Sequence, residues 1–283
     1  MRGPPEAGVS PFSIMFPMCC GWFSGGGIIP YQTMIDNKDE IKGNETVSKE
    51  AEHTERIRGL FASIAGGYDF LNRFNSLRRD VAWRRRAASE MRFFQTNKLI
   101  DVATGTADIV IEALRAHPQV KAVGVDLVPE LMDIGRQKVE GLGLSASVEL
   151  MEGNALDLTF QDASFDVATI AFGIRNIRER LHALEEMRRV VVPGGQVMVL
   201  ELVFACPGPL RLLHGLYLNH IMPAMARMFS SNPDAYVYLA RSIMEFPAPE
   251  EFMALMRDAG LKDVRFIPLT FGVAGLFVGR RPV

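Results

Sequence analysis

Through the middle of the chain, short apolar runs alternate with segments whose apolar residues recur every three or four positions. Leu99 to Ala103 is such a run, and Ile109, Ile111, Ala113 and Leu114 follow it at helical spacing. Further runs stand at Ala122–Val125, Ser147–Met151, Phe165–Phe172 and Gln196–Val203, separated by helical patterns from Pro129 and over Arg178–Val190. Strands alternating with helices predict an α/β fold, a mostly parallel sheet covered by helices on both faces. Upstream, Ile57, Leu60, Phe61 and Ile64 open a helical stretch at Arg56. Downstream, Glu250–Ala259 reads as a helix stopped by Gly260, and Val264–Pro268 with Phe271–Val278 as a closing hairpin.

Residues 204–246 break this alternation. The run from Leu212 to Phe229 is apolar but carries His214, Asn219, His220 and Arg227. Those polar groups argue against a membrane span and for paired amphipathic helices acting as a lid. The methionines of this region make a deformable wall suited to a greasy ligand.

The candidate chemistry gathers at the ends of the runs. The first ends in the small-residue turn Thr104-Gly105-Thr106-Ala107, closed by Asp108. Gly105 lets backbone approach a ligand, and the N–H groups of the helix that follows favour an anionic group. The glycines of the dinucleotide fingerprint are absent, so a different nucleoside-bearing ligand is expected. Asp126 ends the second strand, placed to accept ribose hydroxyls. Asn154 follows the third strand, where an amide could meet an adenine amine, and Arg175 follows the fourth, where ligands bind in such sheets. Tyr68 and Asn72, four apart, share a helix face.

Charge and composition narrow the classes. With 31 Lys and Arg against 33 Asp and Glu, the 283-residue chain carries a net charge of −2 and offers no electrostatic case for nucleic acid. Cys19, Cys20 and Cys206 make no disulfide framework, which fits a cytoplasmic setting. The five histidines show no metal-ligand spacing, and no metal is expected. His214 and His220 are six apart, hence on different faces of a helix. Arg73, Arg78, Arg79, Arg84, Arg85 and Arg86 face one nearby acid, Asp80. This reads as a solvated helix face or as a contact with an anionic membrane surface. Residues 1–55 read as a flexible extension. Their apolar patch, Ile14–Phe23, is too short to span a bilayer, and Met34 is an alternative start.

From Arg56 to Arg281 the chain resembles the S-adenosylmethionine-dependent C-methyltransferases of ubiquinone and menaquinone biosynthesis, the UbiE/MenG family. The likeness rests on YDFLN (Tyr68–Asn72) with Trp83, DVATGTAD (Asp101–Asp108), FGIRN (Phe172–Asn176), RVVVPGG with Glu201, and YVYLARSIMEFP (Tyr236–Pro247). It implies a class I methyltransferase fold, a Rossmann-like seven-stranded sheet with a helical lid over about 204–246. It also implies that Gly105 and Thr106 hold the methionine moiety of S-adenosylmethionine, Asp126 its ribose, and Asn154 with Ala155 its adenine. The implied acceptor is a demethylated isoprenoid quinol, most simply the menaquinone precursor, met at a membrane surface. Arg175 would stabilise the quinol oxyanion, because its charge is permanent. Asp69, His220 and Asp234 are the candidate proton acceptors, and Tyr68, Asn72 and Asn176, with Asp234, would line the acceptor site.

The chain departs from the family at several positions. Ala107 stands where a second glycine is usual and could crowd the cofactor. Asp80 stands where histidine is frequent, which favours the menaquinone branch. Val192 stands for lysine, Val203 for serine, and Ala171 offers no hydroxyl. Two other readings remain: a methyltransferase of another lipophilic phenol, sterol or acyl chain, and an inactive cofactor-binding partner in a lipid-enzyme assembly.

Overall fold

The computed structural model describes residues 52–222 and 233–283. The apolar patch at Ile14–Phe23, Cys19, Cys20, Met34 and nearly all of the expected N-terminal extension lie outside the described residues. A helix over 52–64 (α1) comes first, beginning four residues before the apolar pattern at Arg56. It is followed by α2 (Tyr68–Asn75) and α3 (Arg79–Glu90). The alternating core contains β1 (Lys98–Val102), α4 (Asp108–Ala116), β2 (Lys121–Asp126), α5 (Pro129–Gly141), β3 (Val148–Glu152), β4 (Phe165–Ala171), α6 (Arg180–Val190) and β5 (Val191–Leu202). Then come α7 (Gly208–Leu216), a π-helical turn at Tyr217–Ile221, α8 (Pro233–Met244), α9 (Pro249–Asp258), β6 (Lys262–Leu269) and β7 (Ala274–Arg280).

These strands form one seven-stranded sheet in the order β3-β2-β1-β4-β5-β7-β6. The first five are parallel, and β7 runs antiparallel to both β5 and β6, so the closing hairpin is present but its second strand lies inside. β1 shows the two-residue period of a strand buried on both faces. Leu99 packs into the layer of α3 and α4 with Trp83, Ile109 and Val110, whereas Ile100 and Val102 join Leu184, Met187 and Phe252 of α6 and α9. The sequence pattern starts the fifth strand at Gln196. In the structure β5 starts at Val191, and the pairing with β4 slips between Phe165↔Val191 and Val167↔Gln196, so Pro193-Gly194-Gly195 is carried as a bulge within the strand.

The strand order reverses between β1 and β4, and the two chains that leave there splay to open a crevice. Their exit is tight. A Cβ on Gly173 would lie 2.7 Å from that of Ala103, so only glycine lets the two strand ends come this close. Ala103 and Phe172 both hold positive φ, 53° and 59°.

The loop entering β1 hangs on one buried carboxylate. Asp166 accepts backbone N–H bonds from Gln95 at 3.1 Å, Thr96 at 2.9 Å and Asn97 at 2.7 Å. An amide at this position must turn its NH₂ toward at least one of those donors. Asp166→Asn should therefore cost about 1–3 kcal/mol of stability, seen as a lower urea midpoint with unchanged slope.

Candidate active site

Asp126 shapes the first half of the crevice. Its two oxygens accept the backbone N–H of Gly105 at 2.7 Å and of Val128 at 2.9 Å, clamping the glycine turn against the end of β2. Burial raises its carboxyl pKa, and those backbone donors oppose the rise. Each oxygen retains acceptor capacity toward the crevice. Around it lie Gly105, at φ +54°, Leu127, Val128, Leu131, Asn154 and Ala155. The Oδ1 of Asn154 is occupied by the N–H of Leu156 at 3.0 Å. That oxygen keeps a second lone pair, and the Nδ2 has no partner among the described residues, so the amide can both accept and donate toward the pocket. Phe61, Ile57 and Thr54 of α1 form the outer wall. Nothing in the sequence pattern pointed to α1 as part of this pocket.

Ala107 sits at φ 62° and is fully buried, but its methyl points at Gly135 of α5: a Cβ added there would be 3.3 Å from it. The missing glycine therefore tightens the contact with α5 and does not crowd the pocket.

Thr106 and Asp69 are drawn together outside the pocket lining. The Thr106 hydroxyl donates to Asp69 Oδ1 at 2.7 Å, and Lys138 Nζ reaches Thr106 Oγ1 at 2.9 Å, Asp69 Oδ2 at 2.5 Å and Asp108 Oδ1 at 2.6 Å. Burial works against ionisation of Asp108, but Arg84 and Lys138 outweigh it and hold the carboxyl below its usual range. This bridge ties α2, the glycine turn and α5. It engages both Asp69 oxygens and the Thr106 hydroxyl, and neither residue lines the first pocket.

Beyond the crevice lies a second cavity of about 650 Å³. α3, α7, the π-helical turn, α8 and the ends of β5 and β7 enclose it, and most of its walls are apolar. Arg175 projects into it. Its Nη1 donates to Glu201 Oε1 at 2.6 Å and to the carbonyl of Phe172 at 2.5 Å, while its Nε is buried with no partner among the described residues. Asn72 and the Asp80–Arg84 pair (2.6 Å) also line this space. Asn176 lines the cofactor-side pocket instead, its Oδ1 accepting the Tyr238 hydroxyl of α8 at 3.0 Å.

Tyr68 faces the first pocket, and Phe172 borders both, so the Phe172 ring stands between the spaces. Burial raises the Tyr68 phenol, opposed by the charge of Arg175 and the Asn72 side chain, so the hydroxyl keeps its proton.

The structure separates the candidate bases. His220 is exposed on the outer side of the π-helical turn and does not line the cavity. Asp234 falls in α8, and its side chain lies outside the described residues. His214, which the sequence reading did not select, does line the cavity. Its Nδ1 is 3.5 Å from Cys206 Sγ, its ring rests 5.4 Å from that of Phe204, and burial lowers its pKa. The helical spacing Leu210, Leu213, His214, Tyr217, Leu218 was the available signal, since all five share the inward face.

The arginine cluster is largely consumed internally. Arg84 pairs with Asp80, Arg85 with Glu112 at 3.1 Å and Arg86 with Glu90 at 2.6 Å, while Arg73 stands 3.8 Å from Asp108. Arg78 and Arg79 have no ion pair among the described residues. No group of three or more metal-ligating side chains occurs among the described residues.

The sheet order, the glycine turn clamped by the acid ending β2, and the crevice between β1 and β4 define a class I methyltransferase fold. Solved structures share it. A complex of the Haloferax volcanii Trm112 methyltransferase activator with a methyltransferase matches 79% of this chain and 98% of its own, at TM-score 0.57 and 19% identity. A SAM-dependent methyltransferase from Thermotoga maritima does so at TM-score 0.54 and 18% identity, over 79% and 98% of the two chains. Residues 46–281 match the ubiE/COQ5 methyltransferase family, to which this chain belongs. Among its relatives are the demethylmenaquinone methyltransferases of Deinococcus radiodurans, 43% identical over 80% of this chain and 92% of that one, and of Thermus thermophilus, 41% identical over 79% and 100%. The ubiquinone/menaquinone biosynthesis C-methyltransferase UbiE of a Geobacter species is 39% identical over 82% and 98%.

One buried acid lies beneath this site. Asp101 accepts the Thr169 hydroxyl at 2.7 Å, and burial pushes its pKa up to about 7. A carboxyl whose folded pKa exceeds its unfolded value of about 4 contributes stability below pH 4 that is lost as pH rises through 7. Asp101→Asn should remove that loss. Urea titrations should find the variant more stable than the parent by on the order of 2 kcal/mol at about pH 8, with the gap closing toward about pH 4.

Proposed function

We propose that this methyltransferase moves a methyl group from S-adenosylmethionine to a ring carbon of a demethylated isoprenoid quinol, the menaquinone precursor in particular. The observation that carries this reading is Arg175, held by Glu201 at the wall of a large apolar cavity. A phenolic oxygen on a greasy molecule is the group such a wall suits. The names borne by the relatives support the same substrate class, and Asp80 leans toward the menaquinone branch. The ubiquinone precursor is the second reading, favoured by the relatives named UbiE.

The residues of the first pocket suit the cofactor by their chemistry: acceptor oxygens on Asp126, an amide donor on Asn154, an apolar shelf of Leu127, Val128 and Leu131, and the open Gly105 turn. S-adenosylmethionine, when bound, supplies a methyl group already made electrophilic by its sulfonium. The protein's own task is to raise the nucleophilicity of the ring carbon. His214 takes the hydroxyl proton, Arg175 stabilises the oxyanion, and the charge reaches the neighbouring ring carbon. Once methylated, that carbon gives up its hydrogen as the ring regains aromaticity and the oxygen takes back the proton held by His214, so one proton is released overall. Tyr68 and Phe172 hold the acceptor ring in line with the methyl group. Residues upstream of the family match serve as an extension to the methyltransferase domain, which takes in α1, and the segment over about 204–246 serves as its lid. The enzyme works at the cytoplasmic side of a membrane, where the substrate's tail resides.

The deciding experiment is transfer of labelled methyl to demethylmenaquinol and, in parallel, to the demethylated ubiquinol precursor, with reductant present. Cofactor binding without label on either quinol overturns the proposal. Arg175→Lys keeps the charge but loses the planar fork, and kcat should fall about a hundredfold or more. His214 must be neutral to accept a proton, so activity should fall with pH through a point below the ordinary histidine range near 6.5. His214→Gln should lower kcat about a hundredfold and abolish that acidic limb in a pH–rate profile.

A further inference from the structure

The mouth of the apolar cavity carries large hydrophobic side chains that the fold pushes outward at a conformational cost. Leu77, between α2 and α3, is 84% exposed at φ 50°, and Phe271, between β6 and β7, is 76% exposed at φ 57°. Bulky residues seldom occupy this left-handed region, which suits glycine or asparagine. Both side chains line the same cavity, and a hydrogen bond of 2.8 Å from Trp83 of α3 to Thr270 ties that helix to the turn carrying Phe271. Across the opening, α7 has no buried residue and exposes Leu210, Leu212, Leu213 and Leu216, of which Leu210 and Leu213 line the cavity as well.

Among the described residues of α7 and of the cavity lining, the exposed charge has one sign. α7 contains no acid, and the one acidic residue lining the cavity, Asp80, is buried against Arg84. Arg78 and Arg79 are exposed beside Leu77 without an ion pair among the described residues, and Arg211 lies exposed on α7 over the Phe204 ring. Their neighbours Arg84, Arg85 and Arg86 are all neutralised by acids.

We infer that the rim formed by Leu77, Phe271 and the outer face of α7 docks on an anionic lipid bilayer, with the apolar side chains inserted and Arg78, Arg79 and Arg211 at the headgroups. Apolar residues ringed by unpaired cations fit an interfacial site, and a lipid occupant would place the cavity opening against the phase that holds the quinol tail. The inference deepens the proposed function, since it rests on a lipid-borne acceptor using this cavity. It locates the contact at two turns and one helix, not along the arginine cluster as a whole.

The test is sedimentation of the full chain with vesicles of phosphatidylglycerol or of phosphatidylcholine, without cofactor or quinol. The parent should prefer phosphatidylglycerol. The double variant Leu77→Asn, Phe271→Asn suits the left-handed backbone, so its melting temperature should not fall, while its vesicle affinity should drop about tenfold or more. Arg78→Gln with Arg79→Gln should cost roughly fivefold per arginine on phosphatidylglycerol and nothing on phosphatidylcholine. Undiminished binding by the asparagine variant, or no binding by the parent, overturns the assignment. So does a parent that elutes as a dimer which the asparagine substitutions dissociate, because a second copy then covers the rim. Methyl transfer to a short-tailed quinol in solution, assayed separately, tells failure of the surface from failure of the reaction.

Discussion

Arg175 can stand at the wall of an apolar cavity because Glu201 is fixed behind it. A guanidinium taken out of water is strongly unfavourable without a carboxylate partner, and this one is within 2.6 Å. The partner is available because β4 and β5 are parallel neighbours, with Ala171 opposite Leu200, so Glu201, the next residue of β5, stands beside the turn that leaves β4 and carries Arg175. The carboxylate also accepts the backbone N–H bonds of Arg175, at 3.3 Å, and of Leu202, at 2.8 Å. Glu201 thus fixes the turn, the charge and the start of the segment leading to α7. The close exit at Gly173 and the positive φ of Phe172 follow from the same geometry.

The sheet was legible because its information is local. Period-two burial on both faces, helical spacing between the runs, and the acid ending β2 each act over a few residues. The bulge at Pro193–Gly195 escaped, since a strand pattern broken by proline and two glycines looks like a loop until its neighbour supplies the pairing. The inner position of β7 depends on long-range pairing that no short stretch encodes.

The site was legible where the backbone dictates it and obscure where side chains choose partners. Gly105, Asp126, Asn154 and Ala155 sit at strand ends and came together. Asp69 and Thr106 took their expected roles from the family resemblance, yet Lys138, 69 and 32 residues away in sequence, contacts both. In the arginine cluster Arg85 and Arg73 likewise meet distant acids, Glu112 and Asp108, while Arg84 and Arg86 pair with Asp80 and Glu90 four residues away. His214 and His220 differ only in helix phase. The inward face was computable from the leucines at 210, 213 and 218, but only once the helix was known to cover a cavity.

One ring, Phe172, lines both pockets, and the walls on either side of it come from separate parts of the chain. α1 walls one space through Thr54, Ile57 and Phe61, while α7 and the π-helical turn wall the other. Each space can therefore be reshaped through its own element, and a change in α1 leaves the apolar cavity's lining as it was. Among the described lining residues, Phe172 is where an alteration of one space is felt in the other.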